Sequence, residues 1–450
     1  MLDLTVNCKF RMSAVKYLSL FLFIPTCSYS QIWSPVGSGI TDTYGAATLD
    51  TAKGRLYIGG LFRSIDGISA SRIAFWNDTS CFPLGGGVKA GYSPQTQTIN
   101  YFNGQIIAGG AFDSAGGKLV NNIASWDGVT WNSLGTGLDG LALALAVFNG
   151  ELIVGGTMSV AGGVSANYIA KWNGISWSAL GAGFNNTVHG LVVHKGCLYA
   201  CGDFTSSGLH SLNHIAKWDG VSWSALGTGT DNHISGITQS DSSIYVIGDF
   251  GRAGGVPASQ VAQWDGQSWH SLGSGIVNTD VVQCITAYNS NIYVGGSIGN
   301  AGGTSVKNIA RWDGTTWHPL GVVNDWVMAM CIYGSSLYIG GSFTKADGVS
   351  TPGIAKCDWI TGIEEKKQIS TLSIFPNPCD GKFHIAMINA KSERSEICIF
   401  NALGKVLFNN VADFSLPSQD IDLSAQPKGF YFVRVTNSKG ESAVQKLVIE

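Results

Sequence analysis

The stretch Asn122-Ile123-Ala124-Ser125-Trp126-Asp127-Gly128 returns as Asn308-Ile309-Ala310-Arg311-Trp312-Asp313-Gly314, and close variants of it recur between the two. Its tryptophans set a period. Trp126, Trp172, Trp218 and Trp264 fall 46 residues apart, Trp76 lies 50 before the first and Trp312 lies 48 after the last. Residues that recur with them are a Gly-Gly pair, an Ala-Gly-Gly turn, Ile-Ala before the Trp, and a second Trp five residues later followed by Leu-Gly-x-Gly. Self-similarity at this period marks stacked supersecondary units. Dividing the chain before each outer Trp yields seven units, at about 32–80, 81–130, 131–176, 177–222, 223–268, 269–316 and 317–361.

Each unit reads as four short strands joined by glycine-rich or Asn/Asp turns; in the fourth they fall at 177–180, 188–194, 197–204 and 215–218. Four strands in about 45 residues is what one propeller blade requires. The expected fold class is therefore all-β, a seven-bladed β-propeller over residues 31–361 followed by a small C-terminal β-sandwich. Composition agrees, since 60 Gly, 11 Pro, 14 Trp, 14 Tyr and 20 Phe suit many short strands and tight turns. The first unit opens on the outer-strand sequence Ile32-Trp33-Ser34, and the last unit stops after a third strand near Trp359. The N-terminal strand is thus expected to complete the seventh blade and leave no unpaired edge. Gly-Gly would serve a close backbone approach or a positive φ, Asp-Gly a hairpin turn, and the paired Trp rings the apolar area between sheets.

Residues 12–30 read as a secretory signal within an expected leader of residues 1–30: Lys16 leads, an apolar run follows from Tyr17 to Ile24, and Ser28-Tyr29-Ser30 precedes Gln31. Met12 offers a second start. Ile24-Pro25-Thr26 is the wrong composition ahead of Cys27 for a lipoprotein site. Loss of the leader removes Lys9, Arg11 and Lys16 against Asp3, so the formal charge falls from −3 to −5. No basic patch invites nucleic acid, and no later run is long and apolar enough to span a membrane. Eight cysteines remain without CxxC or Cys/His metal spacing; Cys197 and Cys201, four apart in one strand, stand about 13 Å apart and cannot bridge each other.

Past Trp359 the repeat ends, and a charged linker at 362–370 leads to a different β pattern over 371–450, with strands expected at 372–375, 382–387, 396–400, 405–408, 429–435 and 443–449. Four motifs appear there in order: Pro376-Asn377-Pro378 with Gly381; Asn401-Ala402-Leu403-Gly404-Lys405; Asp422-Leu423-Ser424 leading into Gly429-Phe430-Tyr431-Phe432-Val433; and Gln445-Lys446-Leu447-Val448. In their order, spacing and terminal position they resemble the type A sorting domain of the type IX secretion system. The resemblance implies the Sec route, passage across the outer membrane with that secretion machinery as partner, removal of the sorting domain, and a mature protein anchored on the cell surface or released. The same residues also suit a plain sandwich, with Pro and Gly in turns and alternating Val, Phe and Tyr in a core.

The repeat itself resembles secreted bacterial propellers with Gly-Gly-x-Phe and Ile-Ala-x-Trp-x-Gly motifs and, more loosely, the kelch group. That resemblance covers about residues 32–361 and speaks to fold, because propellers serve as platforms, scaffolds and enzymes alike. An adhesion or binding protein is the leading reading, for a glycan or a surface protein. The alternatives are a secreted carbohydrate-active enzyme and a structural surface-layer component.

Chemistry is sought where the repeat breaks. The recurring Asp127, Asp219, Asp265 and Asp313, with Asn77 and Asn173 in the same slot, read as turn residues. Glu151 is the only Glu between residues 31 and 360. Asp203 and Asp249 stand at equivalent positions in adjacent units where other repeats hold Leu61, Ala111, Thr157, Ser297 and Ser342. They are the catalytic candidates, able as a pair to bind a cation or to split their pKa values, and otherwise two solvated or turn-bonded aspartates. No metal or cofactor motif stands out, His210 and His214 being four apart only in a loop. Segments after Leu-Gly-x-Gly keep a polar residue while varying between units: Asp42, Asp139, Asn185, Asp231, Asn278 with Asp280, and Asn324 with Asp325. With Tyr44, Tyr92 and Trp326 beside them, these are the ligand-binding candidates, lying near the axis on the face opposite the Trp-Asp-Gly turns. Asn and Asp also favour turns in their own right.

Overall fold

The second strand of each repeat is almost continuously apolar, as in Leu152-Ile153-Val154 or Ile244-Tyr245-Val246, because neighbours cover both its faces. In the computed structural model these strands belong to seven antiparallel sheets among the described residues, six of four strands and one in which a fifth short strand, Thr304–Ser305, pairs with the second. Those residues are 31–40, 45–90, 95–240, 242–359, 372–387, 394–401, 406–413, 418–436 and 442–450. The expected leader and linker lie outside them.

The fourth sheet shows the common order: Val188–His194, Cys197–Gly202, Ile215–Trp218 and Trp223–Ala225, each paired with the next. Trp177–Ala179 pairs with Ile169–Trp172, so a unit counted from its outer Trp straddles two sheets. The first strands neighbour one another in chain order, and the last of them, Val327–Tyr333, lies beside the first, Ala46–Ala52. In the seventh sheet the fourth strand is Gln31–Pro35, antiparallel to Ile354–Trp359 with Trp33 opposite Cys357.

Two features depart from the sequence reading. A two-stranded ribbon, such as Ser206–Ser207 with His210–Ser211, fills what reads as a turn between second and third strands. In the sixth sheet Ile276–Tyr288 is a 13-residue strand. The segment holding Asn278 and Asp280 is therefore strand, not loop, since Val277 pairs with Asn300 and Thr279 with Ile298 in a run rich in β-branched residues.

The tryptophans tie each sheet to the one before it. Trp131 Nε1 donates to Leu84 O at 2.9 Å, Trp177 to Leu134 O at 2.7 Å, Trp223 to Leu180 O at 3.3 Å, Trp269 to Leu226 O at 2.8 Å, and Trp317 to Leu272 O at 2.8 Å. Each acceptor is the Leu of the preceding Leu-Gly-x-Gly, so this motif and the Trp are two halves of one bond. Asn122 and Asn308, the first residues of the recurring stretch, take φ of 67° and 65° and donate Nδ2 to Leu138 O and Val323 O. Cys81 holds the Trp position in the first sheet, and Trp33 Nε1 in the seventh is buried without a partner.

Residues from 372 onward form a separate compact unit. A three-stranded sheet and a four-stranded sheet enclose one core that includes Phe383, Ile385, Ile397, Ile399, Tyr431, Val433 and Leu447. The sequence pattern missed one strand there, Gln419–Asp422, whose alternation is carried by a single Ile.

Trp269→Phe should lower the free energy of unfolding by about 1–3 kcal/mol more than Trp33→Phe, because only the first strands a buried carbonyl. Urea unfolding of both variants against the parent checks this; equal losses would mean that ring area alone matters.

Candidate ligand site

Every first strand slips register by one residue near its start, at Ala46/Thr48, Thr96/Thr98, Ala142/Ala144, Val188/Gly190, Ile234/Gly236, Val282/Cys284 and Val327/Ala329. The cause is a glycine of the second strand, the second of a Gly-Gly pair in five sheets and a single glycine, Gly202 or Gly248, in the fourth and fifth. A Cβ on Gly156 would stand 1.9 Å from Leu141 O, on Gly202 2.1 Å from Thr187 O, and on Gly341 2.0 Å from Trp326 O. Only glycine admits that approach, and the approach throws the next residues into a bulge, which re-aims a side chain. The residues left unpaired are Ala47, Gln97, Leu143, His189, Ser235, Gln283 and Met328, all different in kind from one sheet to the next except for the two glutamines.

Inside this ring of bulges lies a cavity of about 270 Å³ lined by residues from all seven first strands, Ala47, Gln97, Leu143, His189 and Met328 among them. Leu49, Leu145, Leu191, Ile237, Ile285 and Met330 also line it, although most of the surface it exposes is polar. Gln97 Oε1 is shielded from solvent and has no hydrogen-bond partner.

Asp203 and Asp249, paired in the sequence reading, each meet a histidine. His189 Nε2 is 3.0 Å from Asp203 Oδ1, His233 Nε2 is 3.6 Å from Asp249 Oδ2, and the two imidazole centroids are 6.3 Å apart. His214 Nδ1 lies 3.2 Å from Gly202 O, and burial pushes its pKa down, with the backbone bond working against that. Its charge is felt by His233, Asp203 and Asp231, so three histidines and three aspartates gather at one side of the mouth. Among the described residues no group of three or more His, Cys, Asp or Glu is arranged to hold a metal ion. Sequence reasoning named the aspartates and missed His189 and His233. The available signal was their place at the starts of the same two first strands.

The other ligand candidates divide. Asp139 Oδ1 accepts from Ser159 N and Val160 N at 2.9 and 2.8 Å, Asn185 Oδ1 from Thr205 N and Ser206 N, Asp231 Oδ1 from Gly251 N and Arg252 N, and Asn324 Oδ1 from Thr344 N and Lys345 N. These four hold the short ribbon of their own sheet, and that is why the polarity persists. Asp325 Oδ1 accepts from Trp326 N at 2.7 Å, while the Trp326 side chain is 40% exposed beside the first strand of the seventh sheet. Asp42, Tyr44 and Tyr92 lie outside the described residues, as do the side chains of Asn278 and Asp280.

The remaining acids serve structure. In the Trp-Asp-Gly turns, Asp127 Oδ1 accepts from Thr130 N at 2.7 Å and Val129 N at 2.8 Å, which holds its pKa down at about 2, and Asp265 is lowered in the same way with His270 adding to the effect. Glu151 binds Lys171 at 2.8 Å across two strands, a cross-strand slot filled elsewhere by Ser243 with Gln263 and by Asn291 with Arg311.

In the C-terminal unit, Asn377 accepts from Val448 N and donates to Lys446 O, fastening Pro376 and Pro378 onto the last strand. Gly381 has φ 97°, and a Cβ there would come within 2.6 Å of the Ser424 backbone, so Asp422-Leu423-Ser424 and Gly381 require each other. Tyr431 Oη donates to Pro427 O, Gly429 begins the strand Gly429–Thr436, Lys446 Nζ sits 3.7 Å above the exposed Phe430 ring, Asn401 pairs with Tyr431, and Gly404 lies outside the described residues.

Residues 373–450 match the family described as the secretion system C-terminal sorting domain. The chain is exported by the type IX machinery to the cell surface or the extracellular space, and no helix among the described residues is long and apolar enough to cross a membrane. No curated protein matches it significantly. Among solved structures it is similar to the extracellular domain of a one-component system of B. thetaiotaomicron, with TM-score 0.46 and 10% identity over 94% of this chain and 58% of that one. A hybrid two-component system's extracellular domain from the same organism gives TM-score 0.46 and 11% identity over 93% and 59%. The β-propeller domain of the trilobed protease of Pyrococcus furiosus gives 0.44 and 9% over 71% and 96%. The chain spans just under three fifths of the length of the first two.

Further along the first strand of the first sheet lies Asp50, whose pKa is raised to about 6 by burial, partly offset by the bond from Thr51 N. Because the folded value lies above the unfolded one, its ionisation opposes folding: the penalty is absent below about pH 4, grows as pH rises through about 6, and is complete above it. Asn100 fills the equivalent position of the next sheet and donates to Leu145 O. Asp50→Asn should therefore stabilise the protein at pH 7.5 by about 2–3 kcal/mol and have little effect at pH 4. Urea midpoints at the two pH values check this, and a gain of equal size at both would remove ionisation as its cause.

Proposed function

We propose that the chain is an exported binding protein. Its first unit is a seven-bladed β-propeller closed by the strand Gln31–Pro35, it leaves the cytoplasm on a signal peptide within residues 1–30, and its sorting domain spans 371–450. The ligand sits where the first strands begin, at the mouth of the central cavity.

One observation carries this reading. The polar residues that repeat around the molecule have their hydrogen bonds spent on turns and ribbons, whereas His189 and His233, near the starts of two first strands, meet Asp203 and Asp249, just past the ends of the second strands, and Trp326 stands exposed before the first strand of the seventh sheet. A binding surface needs such half-exposed groups that the framework does not use. A glycan or a surface protein is the partner class that an exported platform of this kind meets. A secreted carbohydrate-active enzyme is the second reading, favoured by the imidazole set against each of Asp203 and Asp249, since such pairs can move protons.

The test is a screen of the purified protein against polysaccharides and surface proteins, scored for retention and for product. Trp326→Ala and Asp203→Asn should each weaken retention at least tenfold with the melting temperature unchanged, while Asp127→Ala and Asp219→Ala lower the melting temperature and leave retention intact. Equal loss of binding from both pairs would remove this mouth from consideration, and released oligosaccharide would favour the enzyme.

Export has its own test. Without residues 371–450 the protein should accumulate in the periplasm with its first unit folded; display or release at the normal level would overturn the sorting role.

A further inference from the structure

We infer that the outward face of the four-stranded sheet in the C-terminal unit is the surface that the type IX machinery reads; this rests on the sorting role of residues 373–450 and says where on the unit that role is carried. Side chains alternate across a strand. In Arg394–Asn401, Gly429–Thr436 and Ser442–Ile449 the residues Ile399, Tyr431, Val433 and Leu447 fill the core, so Phe400, Phe430, Phe432 and Lys446 stand on the opposite face. Register lines them up. Val406 is opposite Phe400, Phe400 opposite Phe432, and Phe432 opposite Lys446, which makes one row across all four strands. The Phe400 and Phe432 rings stack with centroids 5.7 Å apart, Phe430 is 54% and Val406 53% exposed, and Lys446 Nζ lies 3.7 Å from the Phe430 centroid.

Cross-strand stacking accounts for Phe400 with Phe432 as sheet stabilisation, but it leaves Phe430 and Val406 in solvent. A contiguous apolar row exposed in this way marks an interaction site. The motifs of the unit divide by direction: Asn377, Gly381 and Tyr431 make the bonds and close approaches that hold it together, whereas the side chains of Phe430 and Lys446 meet at the surface. The three-stranded sheet presents something else. Its outward row is Phe375, His384 and Asp420, with His384 Nδ1 2.6 Å from Asp420 Oδ1 and Lys382 Nζ 3.8 Å from Asp422 Oδ2, so its charges are matched within the sheet. Strand addition beside Ser442–Ile449 is closed off by Cys379, whose N donates to Val448 O and whose O accepts from Glu450 N, both at 2.9 Å. Docking therefore goes through the side chains of the face. Its occupant is a component of the machinery that offers an apolar surface with a carboxylate set for Lys446: the C-terminal unit is the part of the chain assigned to that machinery, and aromatic rings beside a cation are typical anchors of protein interfaces.

Export of the full chain by the producing bacterium, read as the amount at the surface and in the medium against the amount in the periplasm, is the experiment. Phe430→Asp and Lys446→Glu should each lower export at least fivefold and leave periplasmic protein as resistant to protease as the parent. Phe430→Tyr, which keeps the ring, and Phe375→Asp, which charges the other sheet, should export like the parent. Normal export of both Phe430→Asp and Lys446→Glu would overturn the assignment, as would an equal loss from Phe375→Asp. Where Phe430→Asp is degraded, Lys446→Glu decides, because that side chain is exposed. Deletion of residues 371–450 separates the two readings: export that survives it removes the sorting role and this face together, whereas export lost on deletion but kept in both point variants removes the face alone. A parent that sediments as a dimer and a Phe430→Asp variant that sediments as a monomer, with export unchanged, would give the face to a second copy of the chain and overturn the machinery as its occupant.

Discussion

A buried indole N–H that reaches the main-chain carbonyl of the neighbouring sheet is the bond on which the first unit depends. A carbonyl inside a protein needs a donor, and the ring that brings the donor also fills the space between two sheets. Trp131, Trp177, Trp223, Trp269 and Trp317 all make this bond to a Leu of the preceding sheet, from the second sheet to the sixth. The two departures, Cys81 and the unpartnered Trp33, sit in the first and seventh sheets, where the beginning and end of the repeat meet.

The second constraint is the glycine that lets one backbone approach another. It forces a bulge at the same place in every first strand, and in five of the seven sheets the bulged residue lines the central cavity. Structure and chemistry are thereby assigned to different positions. Asp139, Asn185, Asp231 and Asn324 are polar because they bind a ribbon, while His189 and Met328 occupy equivalent bulges with unrelated side chains. Divergence at the bulges leaves the framework untouched.

Export adds a further demand, met by burial. All eight cysteines among the described residues are free, and burial pushes the thiols of Cys81, Cys331 and Cys357 up to about 12. The thiolate is the reactive form, so such thiols resist oxidation outside the cytoplasm. At the other end of the chain, the Asn377 amide fastens its proline-flanked loop to the last strand, and a sorting signal spread over 70 residues becomes one compact body.

Reading residues in order was enough for whatever repeats or lies close along the chain: the period of the Trp, the glycine pairs, the outer strand at Trp33, and the motifs from Pro376 to Lys446. Local spacing encodes these directly, because a turn or a strand needs particular residues at particular offsets. It was not enough to tell what each carboxylate binds. Asp139 and Asp203 look alike in sequence, and only strand register sets Ser159 and Val160 against the first and His189 against the second. Nor could the ribbons be seen, being two residues long on each side. The cavity belongs to the tertiary structure alone, since it is made by seven strands dispersed over nearly 300 residues.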